Sequence, residues 1–299
     1  MVAWLNGSLT DIHNAKVSLL SHSFSRGTAI FEVLEIVTNG KGTALLGLHQ
    51  HCERFFNSAR ALHIQLPYNK EQIIEAIVTC AKANNCKNGL VKFFAYFDDI
   101  ELTIVPHSMN VSLAIFCINY ETLNFDVHEL SKPSRACLST YKKIDPLTVP
   151  VYAKVAGNYV NSYLAQMEAK QKGYSDAILV DTQGNIAEAA TANIFFVKGQ
   201  SLYTPTLRSI MPGITRMIVL DIAHHDNIPA TECDIPAESI NQFSEAFFSG
   251  SVNNIQPIES IDDIIFRPVP GTISQIIQDK VTSLISGNHP LTNKYLYYF

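Results

Sequence analysis

Long apolar runs are missing from this 299-residue chain, and no stretch approaches the roughly 20 residues needed to span a bilayer. The opening segment, MVAWLNGSLTD, lacks a basic start followed by an apolar run, so no secretion signal is expected. Charge is sparse: 16% of residues are charged, and the net charge of -5 comes without any dense Lys/Arg block. A nucleic-acid partner or an anionic membrane surface is therefore not expected. The six cysteines (Cys52, Cys80, Cys86, Cys117, Cys137 and Cys233) never fall in C-x-x-C spacing, and most sit in apolar runs such as AIVTCA and AIFCI. Buried thiols in a reduced, cytoplasmic protein explain them better than a disulfide framework or a zinc site. There is a single tryptophan, Trp4. Hydrophobic residues are abundant at 47%, enough for a large core, and the length suits one large domain or two of ordinary size.

Both halves read as mixed helices and strands. TAIFEVLEIV from Thr28 suggests a strand, and HQHCERFFNSARALHI a helix with His51, Arg54, Phe55, Ser58, Ala59 and Leu62 at helical spacing. EQIIEAIVTCAKANN predicts an amphipathic helix with Ile73, Ile74, Ile77, Val78 and Ala81 on one face. GLVKFFAYF, ELTIVP and NVSLAIFCINY read as strands. A polar segment follows and sets the expected division: a small domain over 1–122, a linker over 123–134 and a larger domain over 135–299. In the larger part, ACLST predicts a strand and NYVNSYLAQMEAKQKG a helix. That helix has Val160, Tyr163, Leu164 and Met167 on one face, Asn158 as cap and Gly173 as stop. DAILVD, the turn TQGN, IAEA, ANIFFV and SLYTP predict short strands joined by tight turns. PGITRMIVLDIAHHDN predicts a helix, and EAFFSG the last recognisable strand. The fold class expected is α+β, not regular βαβ units.

One stretch stands apart. VPVYAKVAGNYVNSYL, from Val149 to Leu164, carries a single charged side chain, Lys154. An amine held against apolar surface loses hydration, which disfavours its charged form, and a neutral amine can attack a carbonyl to form an imine. The ordinary alternative, a lysine whose stem lies on apolar surface while its head reaches water, is commoner for any such residue taken alone. The neighbourhood shifts the balance. Tyr159 follows five residues on. QGNIAEAATANIFF places a lone carboxylate, Glu188, among Ala and Ile; it is either an exposed hairpin residue or a buried acid in need of a cation. In MPGITR, the helix start at Gly213, Ile214 and Thr215 offers free amides to an anion, and FFSGSVNN ends a strand in Gly250 and Ser251. Arg54 could add positive charge, although its spacing alone suits a solvated helix arginine.

Taken together, these segments resemble the fold-type IV pyridoxal-phosphate enzymes, and the branched-chain amino acid aminotransferases most closely, over nearly the whole chain. Similar to the family are GT-x-x-FE at Gly27, Thr28, Phe31 and Glu32; HCERFFNSA; AKVAGNYVNS; IAEAATANIFF as E-x-x-x-x-N followed by an apolar residue and Phe; PGITR; SGSVNNIQPI; and the tail SGNHPLTNKYLYYF. The resemblance implies a two-domain fold, a homodimer, and pyridoxal 5'-phosphate at the domain junction. It implies Lys154 as the Schiff-base and catalytic residue, Tyr159 on the ring oxygen and Glu188 on the pyridine nitrogen. Arg54, Ile214, Thr215 and Ser251 are implied on the phosphate. Phe31, Lys92, Val252, Asn253 and Arg26 are the implied substrate contacts. The expected activity is transfer of an amino group between a branched-chain or related apolar amino acid and 2-oxoglutarate.

The sequence also departs from the family's substrate residues. Leu90 and Lys92 stand where Tyr-x-Arg is common, and lysine lacks the planar fork that pairs with a carboxylate. Arg26 replaces an aromatic residue, Glu35 stands where a basic residue is frequent, and the pocket tryptophan is missing, with Phe31 and Phe24 left as apolar walls. Alternatives on the same fold are D-amino acid or amine transamination and an aminodeoxychorismate lyase; outside catalysis, a pyridoxal-phosphate-binding protein without turnover. A metal site at His49/His51 or at His224/His225 is not expected, because on a helix these pairs point apart.

Overall fold

A computed structural model of the chain describes residues 1–123 and 132–299, so most of the expected linker, 124–131, lies outside the described residues. Two sheets carry the architecture. The first is built from β1 (Val2–Leu5), β2 (Ser8–Asp11), β3 (Ile30–Asn39), β4 (Gly42–Leu46), β5 (Gly89–Phe97), β6 (Val111–Asn119) and β16 (Leu296–Tyr298). These seven antiparallel strands lie in the order β16-β4-β3-β5-β6-β1-β2. A short helix, α1 (His22–Arg26), precedes β3 and is capped by Ser21. The alternation of β5 is complete: Gly89, Val91, Phe93, Ala95 and Phe97 are buried and the residues between them half-buried. Helices α2 (Leu48–Ala61) and α3 (Lys70–Ala83) cover the Val91 face. Phe55 and Phe93 meet there at 4.8 Å between rings, with Ile73, Ile77 and Leu34 around them. A capping box between Asn69 and Gln72 starts α3.

The second sheet comprises β7 (Ser134–Lys142), β8 (Asp176–Val180), β9 (Ile186–Ala189), β10 (Asn193–Lys198), β11 (Ser201–Thr204), β12 (Ala230–Glu232), β13 (Glu245–Gly250) and β14 (Asn254–Ile261). It runs β12-β11-β10-β13-β14-β7-β8-β9, and β15 (Ile264–Ile265) is added to β14. The fold is α+β, as expected. Two parallel crossovers are nonetheless present: β7 to β8 through α4 (Tyr159–Gln171), and β11 to β12 through α5 (Ile214–His225). Helices α5 and α6 (Thr272–Ile285) pack on one face over Phe195, Phe247 and Ile255.

Several expectations need correction. ELTIVP forms no strand, and Leu102, Ile104 and Val105 stand exposed in a bend. The apolar stripe of α4 is turned outward: Val160 is 61% and Tyr163 62% exposed, while the small residues Ala165 and Ala169 face the sheet. Asn158 makes no side-chain cap; it closes a 3₁₀ turn before α4. Gly173, at φ +82°, does follow the helix end. SVNNIQPI supplies a full strand, β14, and the chain returns at β16 to the first sheet, on β4.

The lysine segment joins the two sheets. Phe31 N–H donates to the Lys154 carbonyl at 3.1 Å, Ala156 N–H to Ala29 at 2.8 Å, and Gly157 N–H to Gly27 at 2.9 Å. Gly27 holds φ +72°, and a Cβ there would sit 2.9 Å from the Gly157 Cα, so the approach requires glycine at both places.

Candidate active site

At this junction lies a cavity open to solvent. Arg54, Lys154, Tyr159, Glu188, Ile214, Thr215 and Ser251 all line it. Residues from five separate segments thus converge, and each has a local cause. The Lys154 backbone N–H donates to Ser58 Oγ at 2.9 Å, which ties it to α2. Its Nζ donates to Tyr159 Oη at 2.6 Å and lies 4.9 Å from the centroid of the Phe31 ring. Phe31 in turn packs on Tyr159 at 5.0 Å. The amine is therefore held by one hydroxyl between two aromatic faces.

Arg54 is buried, not solvated. Its Nε and Nη2 donate to the two oxygens of Glu32, each at 2.7 Å, and Nη1 donates to the Pro212 carbonyl at 2.9 Å. Three of its five N–H groups are used, which leaves two for the cavity. Glu32 also receives His51 Nδ1 at 2.7 Å. Burial alone would raise the Glu32 pKa; the charge and hydrogen bonds of Arg54, with the His51 bond, outweigh it and hold the carboxyl at about 2. Burial pushes His51 below its ordinary value against the pull of Glu32. The acceptor-only carboxylate fixes the tautomer, with the proton on Nδ1.

Glu188 is buried, but it is not the lone acid its sequence context suggested. Lys143 Nζ donates to Oε1 at 2.6 Å, while Asn193 Nδ2 (3.0 Å) and Met211 N–H (3.1 Å) donate to Oε2. The parallel pairing of β7 with β8 is the cause: Lys142 is in register with Val180, and Leu179 faces Glu188 across β8 and β9. A carboxylate has about four acceptor positions, so one remains for a donor from the cavity.

The far end of the cavity presents donors that can receive an anion. Helix α5 starts at Ile214 with no side-chain cap, so its first amides are free. Gly213 is compulsory, because a Cβ would collide with the Asn193 side-chain oxygen. Ser249 lines the same cavity, and its Oγ is buried with no partner among the described residues, an orphan that a bound oxyanion would satisfy.

Sequence reasoning missed Lys143 and Ser249. Asn193 was visible within the E-x-x-x-x-N pattern. Of the other expected contacts, Lys92 lies against Phe31, its Nζ 5.1 Å from that ring centroid and 4.9 Å from the Phe94 ring centroid. Partial burial and then the charge of Lys154 push it below its ordinary value. Val252 and Asn253 follow Ser251 in the turn, and Asn253 Nδ2 donates to Gln256 at 2.8 Å. Arg26 is directed away, donating to the Leu102 carbonyl at 3.0 Å, and Phe24 is exposed. A separate His225–Asp226–His289 cluster sits at the end of α5. Lys280 already occupies Asp226 Oδ2 at 2.8 Å, and His289 Nδ1 accepts from Leu291 N–H. The Nε2 facing Asp226 therefore carries the proton, which bars it as a metal ligand.

The family model for amino-transferase class IV matches residues 29–261. The chain belongs to the class IV aminotransferases. Among its relatives, the probable branched-chain-amino-acid aminotransferase of Rickettsia felis is 34% identical over 259 residues, which is 87% of this chain and 86% of that protein. The branched-chain aminotransferase of Thermoproteus uzoniensis, solved with norvaline, superposes with a TM-score of 0.94 at 31% identity, covering 99% of this chain and 98% of that one. The branched-chain amino acid aminotransferase of T.th., complexed with N-(5'-phosphopyridoxyl)-L-glutamate, gives 0.93 at 27% identity over 99% and 98%. For a class IV aminotransferase, the cavity's donor set fits a phosphorylated pyridine aldehyde: an amine, an anion cup with an unsatisfied hydroxyl, and an acid with one position to spare.

Proposed function

We propose that this class IV aminotransferase moves an amino group between a branched-chain or related apolar amino acid and 2-oxoglutarate, with pyridoxal 5'-phosphate held on Lys154. The observation that carries this is the Lys154 amine, held at 2.6 Å by Tyr159 between two rings, in one cavity with Glu188 and the anion cup. The complexes of its relatives with norvaline and with a phosphopyridoxyl-glutamate support the two substrate classes.

When bound, pyridoxal phosphate supplies an aldehyde for amines and a ring that stores the electrons of a broken Cα–H bond. The protein does the rest. The amides of Ile214 and Thr215, the hydroxyls of Thr215, Ser249 and Ser251, and the two spare N–H groups of Arg54 would hold the phosphate. Glu188 would accept from the ring nitrogen, oriented by Asn193 and Lys143. Tyr159 would donate to the ring oxygen and hold Lys154 beside it. Nζ of Lys154 takes the substrate α-proton as base and returns it as acid. Phe31 lines the apolar side of the substrate, Val252 and Asn253 flank its carboxylate, and Lys92 supplies a cation for the second carboxylate of the acceptor. Arg26 would act only in a partner's pocket.

We further propose a homodimer of two-domain protomers. The outward stripe of Val160, Tyr163, Leu164 and Met167, with the exposed Phe24, Leu102, Ile104 and Val105, supports it, since a monomer rarely leaves so much apolar surface open. No helix among the described residues is long and apolar enough to cross a membrane. A cytoplasmic location rests on the dispersed, mostly buried cysteines.

Replacing Lys154 with Ala tests the reading. Transfer from leucine to 2-oxoglutarate should disappear, along with the absorbance band that the cofactor gains on binding. Parental turnover in that variant would overturn the assignment.

A further inference from the structure

Glu35 is a buried ionisable group for which the mechanism has no use. Strand alternation places it on the face of β3 that carries Phe31 and Val33, opposite Glu32. Its neighbour across β5 is Leu90, and Lys92 is the next residue on that face. It is 9% exposed, and no cation pairs with it among the described residues. Tyr120, just after β6, is a titratable group near it; burial and then the charge of Glu35 push that hydroxyl up.

Among the described residues, the one hydrogen bond of the Glu35 side chain crosses between the sheets. Asn254 Nδ2 donates to Oε2 at 2.9 Å. Asn254 opens β14 at φ +48°, directly after Ser251, Val252 and Asn253. Its other amide atom, Oδ1, is buried with no partner among the described residues. An ionised Glu35 can only accept, so Oδ1 remains unsatisfied. A protonated Glu35 would have an O–H to offer Oδ1 while still accepting from Nδ2, which would close a two-bond ring and remove a buried charge.

We propose that Glu35 is a positioning residue: through Asn254 it fixes the Ser251–Asn253 turn to the wall of β3, more tightly when protonated than when ionised. The proposal rests on the assignment of that turn to the cofactor phosphate and substrate carboxylate. Burial, only partly opposed by the Asn254 bond, pushes Glu35 up to about 7, so the switch falls near neutral pH.

The test compares the parent holoenzyme with Glu35→Gln and Glu35→Leu. Glutamine offers the same donor and acceptor pair without titrating; leucine offers neither. Melting temperature is followed between about pH 5 and about pH 8, where a group raised in the folded state withdraws its stabilisation as pH rises. The parent should lose several degrees across this range, and Glu35→Gln should lose much less. Glu35→Leu should raise KM for leucine about tenfold with kcat far less affected, roughly the effect of one lost hydrogen bond to a charged group. Glu35→Gln should restore KM. If Glu35→Gln melts with the same pH dependence as the parent, or if KM is equal in all three, the proposal fails. The melting comparison needs no turnover, so it stays readable even if the cofactor assignment is wrong, which the Lys154→Ala spectrum decides separately. Should Glu35→Leu not fold, Glu35→Gln carries the test alone.

Discussion

The two faces of β3 treat the same side chain in opposite ways. Glu32 and Glu35 are three residues apart, and both are buried. One is held at about 2 and the other pushed to about 7. Desolvation is the largest contribution at both sites and acts in the same direction. What differs is the partner: Glu32 faces α2, which presents a guanidinium and an imidazole one turn apart, whereas Glu35 faces an amide. Burial therefore does not set the ionisation of an acid; the cation that the facing element delivers does.

The strongest way to break that contrast is to remove the cation. Arg54→Met leaves Glu32 buried and uncompensated, and should cost about 3–5 kcal/mol of stability, read from urea denaturation, as well as cofactor affinity. A loss no larger than that of a surface substitution would mean that the pair is not what holds Glu32. Next in size is the acid limb. The folded state lowers Glu32 from 4.5 to about 2. Its stabilisation is complete above 4.5 and withdraws as pH falls toward about 2, amounting to about 3 kcal/mol. Stability measured down this range should show that slope in the parent and lose it in Glu32→Gln. Glu35 slopes the other way, withdrawing as pH rises from 4.5 to about 7. The smallest effect concerns Lys92, which shares the Glu35 face. Lys92→Ala should lower kcat/KM for dicarboxylate substrates about tenfold, roughly one charge-assisted contact, and change leucine less. Equal losses for both would separate Lys92 from the acceptor.

Much of the fold was legible because local pattern and tertiary demand agreed. β5 alternates without a break, and α3 carries both its capping box and its apolar stripe. Where the two disagreed, sequence misled. The stripe on α4 is real but faces out, because close contact with β7 and β8 needs Ala165 and Ala169, and a large side chain would not fit. β16 is three residues long and exists only because β4 offers it an edge. Helix α6 went unread, although Ile273, Ile277, Val281 and Leu284 recur along it at helical spacing. The cavity residues were legible wherever chemistry required a rare residue in plain surroundings, as with Lys154 and Glu188. Lys143 was not, because a lysine in YKKID resembles any surface lysine until parallel pairing sets it beside a residue 45 positions away. Ser249 was hidden for a different reason: a serine inside an apolar strand carries no sign of which way its hydroxyl points.

The return of β16 to β4 has a consequence for how the chain is made. Residues 296–298 leave the ribosome about 250 residues after the strand they pair with. Until then β4, next to the wall that carries Glu32 and Phe31, keeps a bare edge. The amino-terminal half can be only provisionally assembled during translation, and a nascent chain arrested before that point would present a sticky border to chaperones or to its neighbours.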